Sequence, residues 1–208
     1  MREIVSAAFV SLDGVMQAPG APDEDRSGGF EYGGWLAPLI DDAITAAIDE
    51  LLVDARYDLL LGRKTYDIFA AYWPQATKDP NPHTRDISKR FDAATKYVAT
   101  HRPESLSWQN SRALGKDVVA ALRELKKDNG PPLITQGSSA LLQTLFEHDL
   151  VDELRLFVFP LTLGSGKRLF GPGTRPRKFE MTASTQSSRG AQIVRYRRAG
   201  DIRTGTIA

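Results

Sequence analysis

Apolar residues in the first third of the chain alternate between short runs and helical spacing. Ile4 to Val10 is an apolar-rich run that predicts a buried strand. Apolar positions at helical spacing between Leu36 and Val53 predict an amphipathic helix. Tyr57 to Leu61 predicts a second strand, followed by a helix that Pro74 is expected to end. Between the first strand and the first helix, Gln17 to Gly34 is rich in Gly, Pro and acidic residues and predicts a long surface loop.

The alternation of strand and helix continues into the second half of the chain. The predicted elements are a strand at Lys96–Ala99, a helix at Lys116–Lys127, a strand at Pro132–Thr135 and a helix at Ser138–His148. Three strand patterns with no helix between them follow, at Leu154–Leu161, Phe179–Ser187 and Ala191–Arg197. Strands joined by helices form parallel sheets, whereas consecutive strands pair antiparallel. The sequence therefore predicts an α/β fold whose mixed, mostly parallel sheet ends in antiparallel strands.

Composition narrows the class of protein. The 208 residues suffice for one domain, expected over residues 1–199, with a flexible tail expected at 200–208. A formal net charge of +1 gives no summed field that would attract nucleic acid or an anionic membrane. There is no cysteine, which suits a reducing cytosol, and the first apolar run is too short for a signal peptide. A cytoplasmic protein that works on small molecules is the expectation.

The turn after the second predicted strand carries the first candidate site, Gly62-Arg63-Lys64-Thr65. Gly62 permits a tight turn, Thr65 can donate to a phosphate oxygen, and two cations stand at the start of a helix. Ligands of open parallel sheets bind beyond the carboxyl ends of the strands, where such helix starts lie. A pyrophosphate fits this motif, although Gly62 can equally serve only to turn the chain.

Two further strand ends have a similar character. Thr100, His101 and Arg102 follow the third strand and can hold a ribose 2′-phosphate, or they can be an ordinary polar loop tip. Gln136, Gly137, Ser138 and Ser139 follow the fourth strand, where a serine can cap the next helix or bind a phosphate. The chain contains neither the G-x-G-x-x-G nor the G-x-x-x-x-G-K-[ST] motif, so a different nucleotide-binding fold is needed.

These motifs, in this order, resemble those of dihydrofolate reductases, and more closely the reductase domain of riboflavin biosynthesis and its stand-alone relatives. Ser11-Leu12-Asp13-Gly14 is similar to a turn of that family. Pro160 to Gly166, with Leu169-Phe170, is similar to its late strand and loop. The resemblance covers almost the whole chain. It implies a three-layer α/β/α dihydrofolate-reductase-like fold, NADP as the hydride donor, and a homodimer.

If NADP supplies the hydride, the protein has to supply a shaped pocket and a proton source. Asp13, after the first strand, is the leading catalytic candidate, although Asp-Gly is also ordinary turn chemistry. Dihydrofolate reductases resemble one another in a carboxylate five or six residues after a tryptophan, and Asp41 fits the longer spacing from Trp35. Trp35 and Tyr66 are the candidate substrate-binding residues, since aromatic rings stack on flat heterocycles, although the aromatic residues of the loop that contains Trp35 can equally hold that loop to the core.

Three functions remain open at this point. The first is an NADPH-dependent reductase of a small heterocyclic or carbonyl compound, and the second is a dihydrofolate reductase that uses Asp41. The third is a non-catalytic nucleotide-binding protein. Riboflavin-pathway enzymes often carry a zinc deaminase domain, but without cysteine that activity is not expected here. The isolated residues His83, His101 and His148 predict no metal site.

Overall fold

The computed structural model describes residues 1–207 and contains an eight-stranded sheet in the order β4-β3-β2-β5-β1-β6-β8-β7. The strands are β1 (Ile4–Ser11), β2 (Asp58–Gly62), β3 (Lys96–Ala99), β4 (Ser111–Ala113), β5 (Leu133–Gln136), β6 (Glu153–Phe159), β7 (Lys178–Gln186) and β8 (Gln192–Gly200). The first six strands pair in parallel, whereas β8 is antiparallel to both β6 and β7. The predicted mixed sheet with antiparallel C-terminal strands is confirmed.

Helices cover both faces of this sheet and bury its apolar side chains. They are α1 (Asp42–Asp49), α2 (Arg63–Ala76), α3 (Pro82–Ala93), α4 (Val118–Lys127) and α5 (Ser139–Glu147). On one face, Leu122 of α4 and Leu142 of α5 pack in a cluster with Leu133 of β5. On the other face, Phe91 of α3 belongs to the cluster of β2, while Ile44 of α1 packs with the aromatic residues of β6. The result is a three-layer α/β/α arrangement.

The predicted helix from Leu36 to Val53 is broken in the structure. A 3-10 turn at Ala37–Leu39 precedes α1, and a π-helical turn at Glu50–Asp54 follows it. Extended backbone at Ile40 and Asp41 separates the two helical pieces. Asp41 caps α1, because its side chain accepts a hydrogen bond from the Ile44 amide at 3.0 Å. Because the Asp41 carboxylate caps the helix, α1 begins later than the apolar periodicity predicted.

The prediction that Pro74 ends its helix was wrong, and two elements were not predicted. Helix α2 includes Pro74 and continues to Ala76, while Ser88 of α3 donates a hydrogen bond to the Trp73 carbonyl at 2.6 Å. Helix α3 was not predicted, since only Ile87 and Phe91 mark its buried face with large apolar side chains. Strand β4 is only three residues long and partly polar. Short elements of this kind leave little hydrophobic pattern.

The C-terminal end departs only slightly from expectation. Strand β8 ends at Gly200, the first residue of the predicted tail, and residues 201–207 form no helix or strand. Within residues 1–207, every helix is too short or too polar to span a membrane.

Candidate active site

A cavity of about 790 Å³ lies where the chain leaves the carboxyl ends of β1, β2 and β5. Its wall combines the loop after β1, the first turns of α2 and α5, one face of α2, and Lys167. A volume of this size suits a substantial small-molecule ligand. The position agrees with the general rule that ligands bind at the carboxyl edge of a parallel sheet.

Two strand-to-helix turns form one side of the cavity and are bonded to each other. The Gly62 amide donates to Ser138 Oγ at 2.9 Å, and the Ser138 amide donates to Thr65 Oγ1 at 3.0 Å. Gly137 and Ser138 both adopt left-handed backbone conformations, with φ of 74° and 63°. The side-chain oxygen of Gln136 is buried without a hydrogen-bond partner. The structure thus brings two separately predicted motifs, 62–65 and 136–139, together at one site.

Arg63 points away from this cavity and assembles a second polar group. Its guanidinium donates to Thr100 Oγ1 at 3.3 Å, to the Arg102 carbonyl at 3.2 Å and to Ser105 Oγ at 2.6 Å. Asp67, one helical turn along α2, accepts from Arg63 Nε at 2.8 Å. The predicted residue His101 is exposed on the same loop. The group formed by Arg63 and residues 100–102 therefore does not line the cavity, although Arg63 lies between two residues that do, Gly62 and Lys64.

Asp13 is not among the described residues that line the cavity, and its carboxylate accepts several hydrogen bonds. Ser11 Oγ donates to it at 2.5 Å, and the amides of Leu163 and Gly164 donate at 3.1 and 2.9 Å. These hydrogen bonds, led by that of Ser11, lower the pKa of Asp13 to about 2. A carboxyl group ionised in this way fastens the loop 161–166 to the turn after β1 and is a poor proton donor near neutral pH.

Asp41 is likewise occupied in a structural role. In addition to capping α1, it accepts from Ser188 Oγ at 2.7 Å, and that bond is the main cause that lowers its pKa to about 2. The described cavity wall does not include it. The position predicted for a pterin-binding carboxylate therefore connects the turn between β7 and β8 to the start of α1.

The two aromatic residues predicted to bind substrate belong to the protein core. Trp35 is 8% exposed, packs edge-on against Phe159 and donates its indole N–H to the Gln17 carbonyl at 2.9 Å. Tyr66 is 1% exposed, and its hydroxyl accepts from the Trp108 amide at 2.8 Å. Each ring therefore supports a segment of the site, the loop after β1 or the start of α2, without lining the cavity.

Several residues that line the cavity were not singled out from the sequence. Ile68, Phe69, Tyr72 and Trp73 form one apolar face of α2. Ile68 and Tyr72 are four positions apart, as are Phe69 and Trp73. Residues at that spacing share a face of a helix, so this wall could have been predicted from the sequence. Lys167 gives no such signal, because a lysine in a glycine-rich loop is ordinary on its own.

Asp25 joins the two cavity lysines. Its carboxylate accepts from Lys64 Nζ at 2.5 Å and from Lys167 Nζ at 2.6 Å, and its side chain is only 10% exposed. Burial on its own raises the pKa of Asp25, but the hydrogen bonds from Lys167, Lys64 and Ser27 outweigh burial and hold the pKa well below its usual range. The carboxylate is thus ionised and neutralises cations from two distant segments.

Glu24 is the neighbouring carboxyl group and behaves oppositely. It lines the cavity and accepts a hydrogen bond from the Gly20 amide at 2.7 Å. Within the described residues it forms no salt bridge, and burial raises its pKa. A cavity carboxyl group with a raised pKa is suited to hold a proton.

Two helix N-termini meet at one cavity at the carboxyl edge of the mostly parallel sheet, and the chain is an α/β protein of the dihydrofolate-reductase-like fold. The family model of the RibD C-terminal domain matches residues 2–193, and the chain belongs to this family. The family is one of reductases of the riboflavin-pathway type. The expected family is therefore confirmed.

Two uncharacterized proteins of one bacterium are also similar to the chain. The chain is 30% identical to the uncharacterized protein YyaP of Bacillus subtilis (strain 168) over 169 residues, which cover 81% of this chain and 80% of that protein. It is 26% identical to YwjB of the same organism over 137 residues, which cover 65% and 70% of the two chains.

Solved structures share the fold at low sequence identity. A candidate riboflavin biosynthesis protein of Shewanella sp. PV-4 aligns with a TM-score of 0.57 at 19% identity, covering 95% of this chain and 99% of that one. A pyrimidine reductase-like protein of Corynebacterium diphtheriae aligns with a TM-score of 0.59 at 13% identity, covering 96% and 93%. At these identities the likeness establishes the fold.

Proposed function

We propose that this protein is an NADPH-dependent reductase that transfers a hydride to a small heterocyclic or carbonyl substrate. The proposal rests on the two turns 62–65 and 136–139. They are hydrogen-bonded to each other, and they place the N-termini of α2 and α5 at one cavity. Helix N-termini present unpaired amides and partial positive charge, which favours the phosphates of a dinucleotide. Membership of a reductase family supports the same function.

The residues of the cavity fit a dinucleotide. Lys64 supplies a cation at the start of α2, and the hydroxyl of Thr65, which accepts from Ser138, retains a hydrogen to donate to a phosphate oxygen. The buried, unpartnered Gln136 oxygen can accept from a carboxamide or ribose group. When bound, NADPH supplies the hydride, and the protein holds and orients both reactants in a largely apolar cavity.

The group around Arg63 supports a preference for the 2′-phosphate of NADPH. Arg63, Arg102 and Thr100 lie together at the start of α2, where guanidinium and hydroxyl donors can bind a phosphate dianion. Asp67 lies 3.9 Å from Arg102 and also pairs with Arg63, so it keeps the two cations in place before a ligand arrives. NADH lacks the phosphate that these residues would bind.

Parallel titrations with NADPH and NADH, followed by nicotinamide fluorescence, test this assignment. Wild-type protein is expected to bind NADPH at least about tenfold more tightly than NADH. Arg102→Ala should lose most of that preference without weakening NADH, whereas Arg112→Ala, an exposed arginine on the neighbouring strand β4, should retain it. Failure to bind either nucleotide would remove the reductase proposal, and binding without any turnover would favour a non-catalytic nucleotide-binding protein.

For the proton source we propose Glu24 in place of Asp13 or Asp41, since it lines the cavity and the other two carboxylates are ionised and engaged elsewhere. With a substrate found by screening, Glu24→Gln is expected to lower kcat by about hundredfold, the low end for general acid catalysis, with NADPH affinity unchanged. Asp13→Asn and Asp41→Asn serve as comparisons. An unaltered pH profile in Glu24→Gln would exclude the role.

Dihydrofolate is not the substrate we propose, because the carboxylate that would engage a pterin, Asp41, caps α1 and binds Ser188.

We propose a homodimer in the cytoplasm. The family resemblance supports the homodimer, and the lack of cysteine suits a reducing compartment. Sedimentation of the purified protein measures the oligomeric state directly.

A further inference from the structure

Lys167 is the only residue of the loop 161–170 in the described cavity wall. Its backbone is fixed by the segment after β1, because its amide donates to Gln17 Oε1 at 2.9 Å and its carbonyl accepts from the Met16 amide at 2.8 Å. Its ammonium group donates to Asp25 Oδ2 at 2.6 Å. Three groups of one segment therefore hold this lysine in place at the cavity.

Lys167 shares the Asp25 carboxylate with Lys64, which donates to the other oxygen at 2.5 Å. Two ammonium groups and one carboxylate leave one positive charge uncompensated. An ammonium group has three N–H donors, and within the described residues each of these two donates to Asp25 alone. The side chains of Lys64 and Lys167 are 53% and 37% exposed, so their other N–H groups are accessible to a ligand.

The neighbouring acidic residues of the wall do not cancel this positive charge. Asp23 forms a salt bridge with Arg26. Glu24 is the other acid, and burial raises its pKa, which favours the uncharged form. The cavity therefore offers two adjacent ammonium groups, with a net positive charge, to an anionic ligand.

We propose that Lys167 and Lys64 together form a binding subsite for a phosphate group, in which Asp25 holds the two ammonium groups side by side. Charge-assisted N–H···O bonds to phosphate oxygens are the strong interactions that such groups form. Lys167 is thus a further ligand-binding residue. The phosphate belongs either to the dinucleotide or to the other reactant, and the inference rests on the proposed function only in naming these two as the ligands of the cavity.

Calorimetric titration of inorganic pyrophosphate into the nucleotide-free protein tests the subsite. Lys167→Met keeps an unbranched apolar side chain but removes the charge, and it leaves Lys64 and Asp25 as a neutral pair. We expect pyrophosphate binding to weaken by about tenfold. The control is Lys127→Met, since Lys127 is an exposed lysine that pairs with Glu124 on α4, and it should change nothing. Absence of binding to the wild-type protein, or equal affinities in wild type and Lys167→Met, would overturn the inference.

Asp25→Asn distinguishes anion binding by Lys167 from a purely structural role. Like Lys167→Met, this variant removes the ion pair between the two loops, but it leaves both positive charges in the cavity. Pyrophosphate should therefore bind to Asp25→Asn at least as tightly as to the wild-type protein. If Lys167 only fastened the two loops to each other, both variants would weaken pyrophosphate binding alike, and that result would contradict the inference.

The same titration with saturating NADP identifies the source of the phosphate. If it is the dinucleotide, bound NADP excludes pyrophosphate, and Lys167→Met weakens NADPH binding by about tenfold. If it is the other reactant, NADPH affinity is unchanged, and pyrophosphate still binds to the NADP complex in a manner that depends on Lys167. Either result supports the subsite.

The subsite and the reductase assignment can fail separately. If NADPH does not bind but pyrophosphate binding depends on Lys167, the reductase assignment fails and the subsite stands. If NADPH binds but Lys167→Met alters neither NADPH nor pyrophosphate affinity, the subsite fails and the reductase assignment stands.

Discussion

The two sides of the cavity are built in different ways. The side formed by residues 62–65 and 136–139 is a backbone structure, in which two turns are held by reciprocal amide-to-hydroxyl hydrogen bonds. The rest of the wall is a side-chain structure, made by the apolar face farther along α2 and by Asp25, whose carboxylate pairs with Lys64 and Lys167. Backbone geometry can serve one cofactor across a family, whereas side chains on a fixed helix can change with the substrate.

The largest effect is expected from distorting the backbone side. Gly137→Val places a β-branched residue at a φ of 74°, where the left-handed conformation is strained. With about 3 kcal/mol of strain, NADPH affinity should fall about hundredfold as the turn moves. Gly115→Val imposes the same strain at a φ of 81°, where no atom lies within 4 Å of the added Cβ. Equal losses of NADPH affinity in both variants would show that stability, not the turn, was responsible.

Removing one hydroxyl from the same side gives the next largest effect. Thr65→Val keeps the shape of the side chain but leaves the Ser138 amide without its acceptor, and Ser138 is only 8% exposed. Unfolding in urea should show a loss of about 1–3 kcal/mol, the range for an unsatisfied buried donor. Thr182→Val, on the exposed strand β7, should change stability by less than about 0.5 kcal/mol. Similar losses in the two variants would contradict the importance of the cross-bond.

The side-chain wall is tested by a matched pair of tyrosines. Tyr72 is 52% exposed on the cavity wall, and Tyr32 is 55% exposed and outside it. Riboflavin, a planar fluorescent heterocycle, serves as a probe of this wall. Tyr72→Ala is expected to weaken riboflavin binding by about fivefold through lost stacking, with NADPH affinity unchanged. Tyr32→Ala should alter neither ligand. A loss of NADPH affinity in Tyr72→Ala would mean that the two sides are not independent.

The smallest effect concerns Asp41 and appears only in acid. Its folded pKa of about 2 lies below the ordinary value of 3.8, so it stabilises the fold above pH 4 and loses that contribution as the pH falls toward 2. Asp41→Asn retains a capping side chain but cannot titrate. The stability of the wild-type protein should therefore fall more steeply between pH 4 and pH 2 than that of the variant. Parallel slopes would contradict the assigned pKa.

The same contrast between backbone and side chains explains what the sequence could and could not predict. Gly62-Arg63-Lys64-Thr65 and Gln136-Gly137-Ser138-Ser139 are contiguous, so their chemistry is readable from the order of residues alone. Lys167 lies 142 residues from Asp25, and neither residue is unusual within its own loop. Asp13 and Asp41 were plausible as acids in isolation, and only their partners, among them Leu163 and Ser188, reveal structural roles. Long-range pairing was the missing information.

The proposed function requires one cavity that holds a dinucleotide and a flat substrate side by side. The most direct test is the riboflavin affinity of the wild-type protein measured with and without saturating NADP. We expect the two dissociation constants to agree within about threefold, because the ligands would contact different sides. An apparent riboflavin dissociation constant that rises in proportion to the NADP concentration would show that the two ligands compete for one place and would contradict the division of the site.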